Sequence, residues 1–362
     1  MGCKCKSGMG VLLFAFGHPK KQDRNEQSGK KQTQRIALLG IILLVVFLLS
    51  FSIGRYGVPV SEVIRIFISR VFPMKQTWTA EMATVVLNIR LPRIVMACLV
   101  GCALSAAGAS YQGVFQNPMA SPDILGASSG AAFGAALAIL LGGSMRIITL
   151  AAFASSLVTV MAVYLIAQRA PGLRVVNLIL AGIMVGSLFT AGTSYIKLVA
   201  DPTNQLPAIT YWMMGSLSGS KLKQVAFVIV PIALGLIPLI LIRWQVNILT
   251  LGDEEARTLG VNTSRLRLVV ILCATLITAA SVSVSGMIGW VGLVIPHLCR
   301  KLVGNNYRYL LPASMIAGAI FLLIVDNVSR NLLAVEIPIG ILTAFIGAPF
   351  FIYLIAKREK TL

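Results

Sequence analysis

Residues 268–299 read LVVILCATLITAASVSVSGMIGWVGLVIPHLC, a stretch of 32 residues that contains no Asp, Glu, Lys or Arg. A helix crosses the hydrocarbon core of a bilayer in roughly 20 residues, so this stretch is too long for one span. Ser285-Gly286 and Gly289 supply a place to turn. The stretch therefore predicts two membrane-spanning helices, at 268–285 and 287–302, of which the second is short.

The whole chain has the composition of a polytopic membrane protein. Its 362 residues are 57% hydrophobic and 12% charged, and the mean hydropathy is +0.86, which excludes a cytosolic enzyme. Long apolar runs indicate helices, since barrel strands would give short alternating segments. We predict an all-α membrane protein with ten transmembrane helices. The predicted spans are 36–53, 94–115, 124–141, 147–167, 175–196, 225–242, 268–285, 287–302, 309–325 and 337–355.

The basic residues predict the orientation of these spans. Ten spans place both termini on one side, and with that side in the cytoplasm 20 of the 31 Lys and Arg residues are cytoplasmic. Eight of the 20 lie in residues 1–35, which are predicted to be a basic, disordered tail. Residues 36–362 are predicted to form one membrane domain, with short helices at about 248–262 between the sixth and seventh spans.

Charge and missing motifs exclude several classes of function. The net charge of +19 is spread over short stretches between spans with no aromatic-interleaved basic face, so no nucleic-acid partner is predicted. No G-x-x-x-x-G-K-[ST] is present, and the six cysteines lack zinc-site spacing, so no cofactor or metal is predicted in this chain. H-E-x-x-H is also absent, which argues against a zinc hydrolase.

Few ionisable residues fall within the predicted spans. Asp326 lies near the end of the ninth span, with Arg330 at i+4. This spacing favours an ion pair on one helix face, and a proton relay is the alternative. The relay would suit a stand-alone secondary transporter or channel, which we keep as the rival class of function.

The loop between the sixth and seventh spans has a distinct pattern. Residues 251–261, LGDEEARTLGV, predict a short amphipathic helix that is bounded by glycines. Leu251, Ala256 and Leu259 would share one face, and the acidic residues with Arg257 the other. Because anionic lipid would repel the acidic face, a cytoplasmic protein partner is expected.

Two stretches rich in small residues, 101–108 and 283–292, predict close helix packing. Each is followed by a polar element that contains proline, at 112–118 and at Pro296-His297. The two copies begin on opposite sides of the membrane in the predicted topology. This arrangement is typical of an inverted repeat with a transport pathway at its seam.

These motifs together resemble the permease subunit of type II ABC importers, the FecCD/BtuC-like family. The resemblance runs from about residue 36 to residue 360, with the motifs in the family's order and spacing. The motifs are Arg90-Leu91-Pro92-Arg93, 108–126 with Gln112, Asn117-Pro118 and Leu125-Gly126, 251–260, 292–297, Asp326 with Arg330, and Glu336-Ile337-Pro338-Ile339-Gly340.

The resemblance implies a BtuC-like fold in the cell (inner) membrane that pairs with a second copy of itself. Two P-loop ATPase subunits, which hold ATP and Mg, would lie beneath the pair, and an extracytoplasmic substrate-binding protein would dock outside. Iron–siderophore is the expected cargo, with haem or cobalamin as the alternatives. The chain itself would be a transport subunit and would catalyse no reaction.

The resemblance also implies roles for particular residues. Arg90, Arg93 and Arg330 would present guanidinium groups outward to carboxylates of the binding protein; interfacial anchoring is the alternative for the first two. The cytoplasmic gate would contain Asn117, Met119, Val175 and Val176. The two valines replace hydroxyl side chains of the cobalamin permease, which makes cobalamin less favoured, although an apolar constriction can close by excluding water. The ATPase-coupling residues would be Leu251, Gly252, Asp253, Glu254, Glu255, Ala256, Arg257, Leu259 and Gly260.

Overall fold

The computed structural model describes residues 19–73 and 75–358. All regular secondary structure among these residues is helical. The helices are α1 (Pro19–Ser50), α2 (Val60–Ile68), α3 (Ala80–Thr84), α4 (Leu91–Val114), α5 (Ala127–Leu140), α6 (Met145–Arg169), α7 (Arg174–Val199), α8 (Gln205–Met214), α9 (Leu222–Leu241), α10 (Arg243–Leu249), α11 (Asp253–Thr258), α12 (Thr263–Ser285), α13 (Val291–Val303), α14 (Tyr307–Asn331) and α15 (Ile339–Arg358).

Each of the ten predicted spans coincides with a helix: α1, α4, α5, α6, α7, α9, α12, α13, α14 and α15. Seven helical segments in the described residues are long and apolar enough to cross a membrane, and α5 and α13 are shorter, with 14 and 13 residues. The predicted turn is also present. α12 ends at Ser285, and Gly286 and Trp290 then take φ values of 67° and 70° before α13 begins. The all-α membrane class is confirmed.

α1 begins at Pro19, so residues 19–35 of the predicted tail are part of this helix. Lys, Gln, Arg and Glu dominate this stretch, and all four are good helix formers. Once the apolar part of α1 is helical, extending it adds one hydrogen bond per residue without a new nucleation step. Residues 1–18 of the predicted tail lie outside the described residues.

The second span is longer than its apolar run. α3 continues through a π-helical turn, Val85–Arg90, into α4, so helix extends from Ala80 to Val114. The sequence-based limit at residue 94 excluded Arg90 and Arg93 because both are charged. Both are nevertheless inside this helical segment and buried, since each finds partners in neighbouring segments.

α4 is the central helix of the bundle, with 78% of its span buried, whereas α1 is at the periphery with 6% buried. The small residues of α4 allow it to occupy this central position. A Cβ atom at Gly101 would overlap the carbonyl of Gly318 on α14, and one at Gly108 would overlap the carbonyl of Gly292 on α13. The two small-residue stretches of the sequence therefore contact each other directly, as their composition predicted.

The contact of Gly108 with Gly292 yields a prediction about stability. Replacing Gly108 with Ala should destabilise the protein by about 1 to 3 kcal/mol, because two backbones must separate to admit one methyl group. The measurement is thermal unfolding of the protein in detergent. Gly40→Ala on α1 is the matched control, since a Cβ at Gly40 has no neighbour within 4 Å. Equal unfolding temperatures for the two variants would contradict the backbone contact.

Candidate functional site

A cluster of charged side chains lies at the N-terminal end of α4. Arg93 Nε donates a hydrogen bond of 2.9 Å to Asp326 Oδ1, and its NH1 group lies 2.9 Å from both carboxylate oxygens of Glu336. Arg330 Nε lies 3.3 Å from Asp326 Oδ2, which confirms the ion pair predicted at i+4. We call Arg90, Arg93, Asp326, Arg330 and Glu336 the arginine cluster.

Backbone carbonyls at the end of α1 complete the cluster. Arg90 donates to the carbonyls of Phe51 and Tyr56, and Arg330 NH2 donates to the carbonyl of Ser50 at 3.5 Å. The last turn of a helix leaves carbonyls without intrahelical donors, and cations are favoured there. The cluster thus joins α1, α4, α14 and the segment that precedes α15.

The three arginines that are predicted to dock a binding protein have partners within the chain, and their docking role stays a prediction. Arg90, Arg93 and Arg330 are only 3%, 6% and 8% exposed. An unpaired charge in apolar surroundings is costly, so the side chains turn toward carboxylates and carbonyls within the chain. Glu336 lies 243 residues from Arg93 in the chain, so the local sequence pattern does not indicate their pairing. The signal in the sequence that points to Glu336 is the need for acidic residues to balance the charge of three arginines.

The predicted coupling segment, 248–262, contains the end of α10 and all of α11, and it lies at the opposite end of α4. Gly252, with φ at 131°, precedes α11. Arg267 on α12 then binds the Asp253 carboxylate with two hydrogen bonds of 2.6 and 2.7 Å. This bidentate pair fixes the start of α11 to a membrane-spanning helix.

The predicted apolar face of this segment is only partly correct. Ala256 is fully buried, but Leu251 and Leu259 are 63% and 60% exposed. The reason is that α11 has six residues, so both leucines lie outside it and do not follow its periodicity. Glu254, Glu255, Arg257 and Gly260 are exposed as well. The segment therefore presents two leucines beside acidic groups, as a surface for a protein partner does.

α10 connects this surface to the core helices. The Gln116 side chain donates to the carbonyl of Leu249 at 2.7 Å, just beyond the end of α4. Asn247 Oδ1 accepts from the backbone NH of Tyr307 at 3.3 Å, at the start of α14. The Tyr307 hydroxyl in turn donates to the carbonyl of Ala109 on α4 at 3.1 Å. Movement of the segment would thus be transmitted to α4 and α14.

The predicted gate residues lie on two connections. Asn117 and Met119 are exposed and belong to one turn, in which Asn117 Oδ1 accepts from the backbone NH of Met119 at 2.9 Å. Val176 is 46% exposed in the first turn of α7, whereas Val175 is half-buried against the hydrophobic core. The gate itself stays a prediction.

A groove of about 550 Å³ lies between α5, the turn that precedes it, and α7. Its polar lining consists of hydroxyl side chains on α5 and α7 and of the Asp123 carboxylate. Asp123 accepts a hydrogen bond from Ser128 and also borders a cavity of about 240 Å³ beside Trp290. The hydroxyl residues are Ser129, Ser187, Thr190 and Ser194.

Removing the central carboxylate of the arginine cluster should cost much stability. Asp326→Ala leaves Arg93 and Arg330 buried without their shared counter-charge, so we expect a loss of about 3 to 5 kcal/mol. Glu62→Ala is the control, because the pair of Glu62 with Arg65 lies at the surface and should contribute about 1 kcal/mol or less. Denaturant titration in mixed micelles measures both. If Asp326→Ala and Glu62→Ala lost similar amounts of unfolding free energy, Asp326 would stabilise the protein no more than a surface ion pair does.

The chain matches a known protein family over most of its length. The model of the FecCD transport family matches residues 42–357. The chain is 38% identical to the molybdate import system permease protein MolB of Haemophilus influenzae, over 89% of this chain and 95% of the relative. It is also 38% identical to a probable iron chelatin transport system permease protein of Helicobacter pylori, over 91% and 99%. Further relatives are named for import of cobalamin and of haemin.

A solved structure supports the fold as well. An inward-facing conformation of a metal-chelate type ABC transporter matches with a TM-score of 0.80 and 38% sequence identity, over 90% of this chain and 99% of that chain.

Proposed function

Because the chain belongs to the FecCD transport family and is therefore a multi-pass permease of an ABC transporter, we propose that its cargo is an iron chelate, in particular an iron–siderophore. The chain is a transport subunit, and the ATP would be hydrolysed in partner ATPases. Haem or cobalamin in the same role is the alternative within the family.

The observation that carries this choice of cargo is the lining of the groove along α7. Its polar groups are hydroxyls together with the Asp123 carboxylate, and no Lys or Arg is among its lining residues. A bare oxyanion such as molybdate would be repelled by the carboxylate and would find no cation there. A chelate shields the charge of its metal and needs only a broad, weakly interacting passage. The groove therefore favours a metal chelate over a free oxyanion.

We propose the assembly that the family resemblance implies. A second copy of this chain would complete the pathway, both termini would lie in the cytoplasm, and two P-loop ATPase subunits would bind the α10–α11 segment. The exposed Leu251 and Leu259 support the last contact, since apolar side chains beside charges are typical of a protein interface. The cytoplasmic gate would include Asn117, Met119, Val175 and Val176.

At the other end, an extracytoplasmic substrate-binding protein would dock on the arginine cluster. Three guanidinium groups face two carboxylates there, so the cluster carries a formal charge of +1. An excess of positive charge favours a partner that brings carboxylates, as the proposed docking requires.

Reconstitution tests this function. Proteoliposomes that contain the permease, its ATPase and its binding protein should accumulate a ⁵⁵Fe-labelled ferric hydroxamate only when ATP is supplied on the ATPase side. Molybdate, ferric citrate and cobalamin are the competing cargoes. Uptake of molybdate alone would overturn the choice of cargo. Uptake by the permease without the ATPase, driven by an ion gradient, would instead support the secondary transporter.

The coupling proposal gives a separate prediction. Glu254→Lys with Glu255→Lys should weaken assembly with the ATPase about tenfold or more, because the acidic surface becomes basic. Affinity between purified permease and ATPase, and stimulated ATP hydrolysis, are the readouts. Glu81→Lys at the opposite end of the bundle changes a single charge in the same sense and should leave both unchanged. A charge-reversed permease that assembles and stimulates hydrolysis normally would refute the contact.

A further inference from the structure

Glu336 differs from the other members of the arginine cluster in its exposure. Its side chain is 30% exposed, whereas those of Arg93, Arg330 and Asp326 are 7%, 9% and 0% exposed. It lies outside the helices, in residues 332–338 between α14 and α15. Glu336 is therefore the acid of the cluster that solvent, or a partner, reaches most easily.

The bond that Glu336 makes is the one that an external carboxylate would make. Both of its oxygens lie 2.9 Å from Arg93 NH1. Arg93 NH2 is buried and has no hydrogen-bond partner among the described residues. Arg93 thus keeps an unused donor beside a replaceable acceptor. A second carboxylate could bind both terminal nitrogens side by side, in the favoured bidentate geometry.

Asp326 is not replaceable in the same way. It has no exposed surface, and it contacts Arg93 and Arg330 together. Removing it would leave the buried Arg330 without a carboxylate, whereas removing Glu336 leaves both Arg93 and Arg330 paired with Asp326. The cluster therefore contains one permanent carboxylate and one that can leave.

Departure of Glu336 would affect the segment that carries it. The Ser329 hydroxyl donates to the carbonyl of Ile337 at 2.6 Å, and two residues further the backbone NH of Ile339 donates to the carbonyl of Gly215. On the other side of Glu336, Val335 is 76% exposed. Glu336 is thus the charged attachment of this connection to α15, which is also held by hydrogen bonds of the Leu333 carbonyl with Arg55 and of Ile337 with Ser329.

We propose that Glu336 occupies the receptor site of Arg93 from within the chain, and that a carboxylate of the docking substrate-binding protein displaces it. This proposal rests on the docking role put forward above. Displacement exchanges one carboxylate for another at Arg93, so the buried cation is never left without its counter-charge. It also frees residues 334–336, between the hydrogen bonds at Leu333 and Ile337, so that receptor docking is sensed ahead of α15.

The first test measures receptor affinity of the permease–ATPase complex in nanodiscs. Glu336→Gln removes the competing charge and raises the cluster from +1 to +2, so the importer's own binding protein should bind about fivefold more tightly. Glu336→Asp keeps the charge on a shorter side chain and should lie between wild type and Glu336→Gln. Glu62→Gln is the matched control: Glu62 pairs with Arg65 on α2, outside the cluster, and its loss should leave affinity within twofold of wild type.

The second test follows the segment itself and does not depend on Glu336→Gln folding normally. Spin labels at Val335→Cys and Val71→Cys, two exposed positions, are placed on a chain whose native cysteines are replaced by alanine. Receptor binding to otherwise wild-type protein should change or broaden the distance distribution between the labels. Glu336→Gln without receptor should show the same change.

The outcomes separate this inference from the proposed function. A receptor that fails to bind wild-type complex overturns the docking role, and the displacement with it. A receptor that binds wild type but gains nothing from Glu336→Gln overturns the displacement alone, as does a label distance that receptor binding leaves unchanged. Tighter binding with a matching change in distance supports it.

Discussion

The fold depends on the close approach of backbones around α4. Gly101 lies against Gly318, and Gly108 against Gly292, with no room for a Cβ atom at either contact. In lipid, apolar side chains gain nothing by leaving their surroundings, so helix association relies on packing and on polar contacts. Small residues maximise that packing and place α4 at the centre of the bundle. Every proposed functional element is then positioned relative to one rigid helix.

The two ends of α4 serve different contacts because they differ in polar groups. Its N-terminal end holds the arginine cluster, in which Asp326 joins Arg93 to Arg330. Beyond its C-terminal end, Gln116 binds the carbonyl of Leu249 on α10. The helix has 24 residues, so these ends are about 36 Å apart. A rigid helix of that length connects the proposed receptor surface with the proposed ATPase surface through one continuous element.

The sequence predicted local features well and distant pairings poorly. Uncharged runs located all ten spans, and Ser285-Gly286 located the turn between α12 and α13, because both signals are contained in neighbouring residues. The pairing of Arg93 with Glu336 joins residues far apart in the chain, and no pattern of neighbouring residues indicates it. α1 was predicted too short for a related reason. The apolar run of α1 begins after Arg35, but residues with high helix propensity extend the helix on the N-terminal side of Arg35.

The groove along α7 explains why a family with one fold can have relatives named for different cargoes. The hydroxyls of Ser187, Thr190 and Ser194 donate to carbonyls four residues back in the same helix, at 2.7 to 3.0 Å. A hydroxyl that is already bonded to its own backbone offers a passing solute only a weak acceptor. The lining is therefore polar enough to be hydrated, but it offers a passing solute only weak contacts. Since tight binding in the pathway would slow release, such a lining suits a passage that disfavours free oxyanions by charge and leaves the finer selection among chelates to the proposed binding protein.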